Sequence, residues 1–148
     1  MTKHRTFFSV MGASILVLVA AAKLVSAAGH AGVLDTPDDL LLVPRRWVLV
    51  GVGSIELLAA LVVLFPRSRP AAPYVFLWLG VCFAGYRVAH AMGQFTQPCS
   101  CLGTVTDSLP LSGEMVTHLL LGVIAYLIVG GAYFAFWDRG SRPVRELV

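Results

Sequence analysis

WVLVGVGSIELLAALVVLF occupies residues 47–65, and a single charged residue, Glu56, interrupts it. As a helix this stretch is about 28 Å long, enough to cross the hydrocarbon core of a bilayer. Three runs of the same kind surround it. Residues 7–28 are interrupted only by Lys23, residues 74–95 contain Cys82, Arg87 and His90, and residues 115–137 carry His118 near their start. None alternates with period two, and only helices or closed barrels satisfy their backbone in lipid. The pattern therefore predicts an all-α, polytopic membrane protein: a four-transmembrane-helix bundle forming one domain over residues 1–148. Pro44, Pro66, Pro70, Pro73, Pro98 and Pro110 all fall between the runs, where helix breakers belong.

Composition agrees. The chain has 148 residues, 57% hydrophobic and only 13% charged, against about 45–50% and about 25% in soluble domains. That excludes a soluble globular domain and a charge-rich disordered chain. Four spans also leave no length for a separate catalytic domain. The first run has an alternative reading as a signal peptide, with Lys3-His4-Arg5 before it and Val25-Ser26-Ala27-Ala28 as a cleavage-like site. Its length and the internal lysine favour a retained span.

The net charge of +3 does not form a nucleic-acid face, because the cations are scattered and not interleaved with aromatics. They read instead as topogenic. Lys3 and Arg5, Arg67 and Arg69, and Arg139, Arg142 and Arg145 fall on one side of a four-span arrangement. The expected orientation has both termini cytoplasmic, in a bacterial inner membrane. The 96–114 loop, which lacks Lys and Arg, would be extracytoplasmic; Arg45 and Arg46 in the 29–46 loop run against the trend.

That outer loop holds Gln97-Pro98-Cys99-Ser100-Cys101-Leu102-Gly103. A disulfide closed across one residue is strained, and strained disulfides are the better oxidants. The same pair could equally pin the loop. It could also join His90, His118 or His30 around a metal, although no second cysteine pair supports that. Cys82 reads as a small buried apolar residue, too far along its helix to bridge the pair.

Ionisable residues inside a span are costly and face the bundle interior. Lys23 falls in the outer half of the first span, Glu56 near the middle of the second, and Arg87 and His90 in the outer half of the third. Arg87, His90 and Gln94 share one helix face that leads toward the cysteines. The expectation is one pocket beneath the pair, containing Lys23, Glu56, Gln94, His118, Arg87 and His90. Arg87 and His90 would stabilise a thiolate or move protons. Glu56 is the natural partner of Lys23 or Arg87. Glu114 and His118 are spaced as a helix-surface pair. Gly51, Gly53, Ala59, Ala60, Gly122, Ala125, Gly130 and Gly131 are candidates for close helix packing, and Trp47, Tyr74, Trp78, Tyr133 and Trp137 for interfacial anchors.

This combination resembles the MauE/DoxX-like redox-associated membrane proteins. The resemblance rests on Ala22-Lys23-Leu24, on Gly53-Ser54-Ile55-Glu56-Leu57-Leu58, and above all on Cys99-Ser100-Cys101-Leu102-Gly103. It covers about residues 7–137, with Leu102 where phenylalanine is frequent in the family. It implies a thiol–disulfide role for Cys99 and Cys101. In its methylamine-utilisation branch it implies maturation of an exported, disulfide-rich subunit. The expected function is thiol–disulfide exchange with an exported thioredoxin-like protein or a client, in the lipid bilayer and without nucleic acid. A quinone in the pocket would serve as electron acceptor, although no quinone motif is present. The rival readings are a non-enzymatic assembly factor with a structural cysteine pair, a small metal-handling protein, and a proton-coupled transporter centred on Glu56.

Overall fold

A computed structural model describes residues 2–29, 32–38, 40–93 and 113–140. These residues are helical apart from short connections, with no β-strand among them. Helix α1 spans Thr2–Ala28, α2 Arg45–Leu64 and α3 Ala72–Met92. The last span is built from α4 (Gly113–Ala125), a π-helical segment (Tyr126–Gly130) and α5 (Gly131–Gly140). Four helical stretches among the described residues are long and apolar enough to cross a membrane: 3–28, 45–64, 69–92 and 114–136. The protein is thus a multi-pass membrane protein with a helical-bundle fold.

The helix boundaries follow from local chemistry. Helix α3 starts at Ala72, ahead of the apolar run, and Pro73 sits in its first turn. A proline is tolerated there because the missing N–H would have no intrahelical partner. It ends at Met92, with Gly93 as its cap. The N-terminal turns of α1 lie beside the 65–71 connection, where Arg5 donates to the Pro70 carbonyl at 2.8 Å. At the opposite end, Arg46 donates to the Ala27 and Gly29 carbonyls at 2.8 and 3.2 Å, and to Asp35 at 3.2 Å. A cation there satisfies carbonyls that the end of α1 leaves without helical partners. Arg46, one of the two cations at odds with the charge distribution, is therefore engaged in holding α1 to α2.

The tight core lies at the Arg5 end. Phe8, Ala13, Leu16, Ala60, Val63, Ala72, Phe76, Leu79 and Leu127 form it. Phe8 meets Phe76 edge-on at 5.4 Å between ring centroids, and packs at 5.1 Å on Tyr126 and 4.9 Å on Phe134. Lipid is as apolar as these side chains, so the drive to associate is close packing rather than water exclusion. Small residues permit it. A Cβ on Gly131 would sit 2.8 Å from the Pro73 carbonyl oxygen, and one on Gly80 would be 2.7 Å from Ile128. Gly53 meets Leu24 and the Ala20 carbonyl of α1 in the same way. Gly51 and Gly122, expected to pack, face open space instead. Their helices turn those positions away from the neighbouring spans.

Candidate functional site

Gly53 lies one turn before Glu56 on α2. It brings α1 close enough for the Lys23 ammonium to donate to Glu56 Oε1. Both side chains are buried, Lys23 at 7% exposure and Glu56 at 0%. The ammonium also stands 5.0 Å from the centre of the Phe83 ring on α3, a cation–π distance. One lone pair of Glu56 is therefore used. Its other oxygen, Oε2, is buried with no hydrogen-bond partner among the described residues.

The pair forms part of the lining of a cavity of about 270 Å³. Leu16 and Val19 line it from α1, Val48, Leu49, Val52 and Ile55 from α2, and Leu120, Val123 and Ile124 from α4. Helix α3 contributes Trp78, Leu79, Cys82, Phe83, Tyr86, Arg87 and His90. Lys23, Glu56, Arg87 and His90 thus border one space. Arg87 has no hydrogen bond or ion pair among the described residues, whereas the Tyr86 and His90 rings pack with centroids 6.3 Å apart.

The 32–44 segment supplies the remaining wall through Leu34, Asp38 and Leu41, with Arg45 of α2 beside it. Asp38 organises this segment. Its Oδ1 accepts from the Leu40 and Leu41 amides at 3.0 and 3.1 Å, and its Oδ2 accepts from the Tyr86 hydroxyl at 2.8 Å. Burial alone would raise the Asp38 carboxyl. The Tyr86 hydroxyl, the two amides and the nearby Arg45 outweigh burial and hold it below the ordinary carboxylate range. Arg45, the second cation at odds with the charge distribution, is thus buried against Asp38.

Two expectations need correction. His118 is exposed on α4 and is not part of the lining, because α4 turns Leu120, Val123 and Ile124 to the cavity instead. Cys82 is not a buried core residue; it is exposed and borders the cavity. Gln94, Cys99 and Cys101 lie outside the described residues. Asp38, Arg45 and Tyr86 were missed. A cue existed in the sequence: Tyr86 precedes His90 by one turn, and Asp38 and Arg45 share one short loop.

A family model, methylamine utilisation protein MauE, matches residues 4–136, nearly the whole chain and all four spans. The chain belongs to the MauE family. The MauE match takes in every residue of the cavity lining. No curated protein and no solved structure matches the chain significantly.

Proposed function

We propose that this MauE-family protein acts in thiol–disulfide exchange during maturation of exported proteins, with Cys99 and Cys101 as the redox pair. The observation that carries the reading is the cavity bordered by Lys23, Glu56, Arg87 and His90, because α3 bears the last two and the cysteines follow shortly after its end. Cations and a histidine near a thiol lower its pKa and support the thiolate. The charge distribution supports cytoplasmic termini and an extracytoplasmic cysteine loop, the side on which disulfides persist. The family name supports a client belonging to methylamine utilisation.

The exchange begins when a client thiolate attacks one sulfur of the Cys99–Cys101 disulfide and forms a mixed disulfide. A second client thiolate attacks the client sulfur of that bond. The client leaves with a disulfide, and the pair is left as a dithiol holding the two electrons.

The test is sided labelling in spheroplasts with a bulky, membrane-impermeant maleimide, on a Cys82→Ala background. Labelling of Cys99 and Cys101 from outside only after mild reduction is the expected result. Labelling without reduction, or only from the cytoplasmic side, overturns it and leaves scaffolding or metal binding as the role of the pair.

A further inference from the structure

The cavity contains groups that the exchange reaction leaves unused. Glu56 Oε2 is fully buried, has no partner among the described residues, and belongs to a lining residue. It is an acceptor in need of a donor, and a buried acceptor without one is costly. Arg87 supplies the complement, a donor without a partner among the described residues, and His90 follows it on the same face. The charged groups around the space are Lys23, Arg45 and Arg87 against Asp38 and Glu56, which favours a guest presenting hydrogen-bond acceptors over a cation. The rest of the wall is hydrocarbon and aromatic.

The two polar sets stand at different levels. Lys23 lies against Phe83, while Arg87 is one helical turn further along α3, about 6 Å. An apolar cavity of roughly 150 Å³ admits benzene, and the 270 Å³ here admits a ring with substituents.

We propose that this cavity binds the ring of a membrane-soluble quinone and its quinol. One carbonyl oxygen accepts from Arg87 or His90, and in the quinol the opposite hydroxyl donates to Glu56 Oε2. A carboxylate lipid matches only the cationic end and brings no donor for Glu56 Oε2; the quinone shares that lack, so the site should hold the quinol more tightly than the quinone. Binding stands independently of the cysteines; the electron step rests on the exchange reading above. In that step the reduced Cys99–Cys101 dithiol gives two electrons and two protons. The sulfurs join as a disulfide, and the quinone takes both electrons and both protons to become quinol.

Trp78 borders the cavity and reports occupancy. With Trp47 and Trp137 replaced by Phe, full-length protein in nanodiscs is titrated with a short-tailed ubiquinone analogue. Saturable quenching of Trp78 fluorescence is expected. Arg87→Gln should weaken it about tenfold. Leu120→Phe, which fills the space without touching a charge, should abolish it, and decanoate should not compete. Glu56→Gln should weaken the quinol more than the quinone; because it also disturbs Lys23, the Arg87 and Leu120 variants decide the case if it fails to fold. Quenching that does not saturate, that survives both Arg87→Gln and Leu120→Phe, or that decanoate displaces equally well overturns the site.

The Cys99→Ser/Cys101→Ser protein should bind unchanged. Binding without quinone reduction by the reduced wild-type pair would remove the electron step and keep the site; the exchange reading itself falls only with the sided-labelling test. A reducible outer disulfide without binding would remove the site and keep the exchange reading.

Discussion

At the Phe8 end of the bundle the helices touch through glycines, and at the Lys23 end charged side chains and a cavity stand between them. Gly131 meets the Pro73 carbonyl with no room for a methyl group, and the rings of Phe8, Phe76 and Phe134 fill what remains. Two turns beyond Leu16, on the same helix α1, Lys23 meets the one buried acid of α2. Lipid gives little reward for burying more hydrocarbon, so close packing alone can hold one end. The other end combines a small apolar cluster, Ala27, Leu34 and Leu49, with the Lys23–Glu56 contact, which has no alternative partner in lipid. The first arrangement is rigid and closed. The second leaves space, and the space has the chemistry.

The comparison can be broken most severely at the ion pair. Lys23→Met should destabilise the protein by about 3–5 kcal/mol, because it strands the Glu56 carboxylate. The double variant Lys23→Met/Glu56→Leu should regain most of that loss in reversible unfolding in mixed micelles. If the double variant is no better than the single, the pair does not act as a unit. At the closed end, Gly131→Val should cost about 1–3 kcal/mol by overpacking against backbone. Gly122→Val, facing open space, should cost much less in the same unfolding assay.

The Asp38 latch comes next. Tyr86→Phe should cost about 1–2 kcal/mol, the worth of a hydrogen bond to a charged acceptor. Because the Asp38 carboxyl is held below its ordinary value, its contribution is fully present above the unfolded carboxylate pKa of about 3.9. It is lost as pH falls through the lower native value. Thermal unfolding scans against pH should show this acid loss in the wild type and not in Asp38→Asn. The smallest effect is expected at Arg87, which has no partner to lose among the described residues: Arg87→Gln should stay within about 0.5 kcal/mol of wild type. A larger loss of stability would make Arg87 a structural element rather than a group held for a guest.

Much of this division is legible in the sequence, and the reasons differ by residue. The spans announce themselves because lipid demands long apolar helices, whatever surrounds them. Lys23, Glu56, Arg87 and His90 stand out because an ionisable group in a span is expensive wherever it points. Gly80 and Gly12 were not singled out, since a glycine's use depends on what approaches it, here Ile128 and Phe76. Gly51 and Gly122 were over-read for the same reason. Cys82 looked like core because free cysteine usually is, yet its neighbours leave a void. The Asp38–Tyr86 bond joins residues that only the folding of the 32–44 segment onto α3 brings together.

The π-helical segment at Tyr126–Gly130 also lay beyond periodicity. It separates two faces of one span: Leu120, Val123 and Ile124 turn to the cavity, while Gly131 and Phe134 turn to the aromatic core. Such a bulge holds one residue more than a regular turn, and one residue in a helix is about 100° of rotation. The last span therefore behaves like a combination lock with one extra tooth. Substitutions inside the segment leave the tooth count intact, and deleting one of its residues removes the tooth, so that a regular α-helix takes its place and the two faces keep nearly their present phase. An extra residue placed in α4 has no such outlet: it would swing α5 against the cavity-lining face by about 100° and carry Gly131 away from Pro73. At this point of the chain, the count of residues decides which face meets which neighbour.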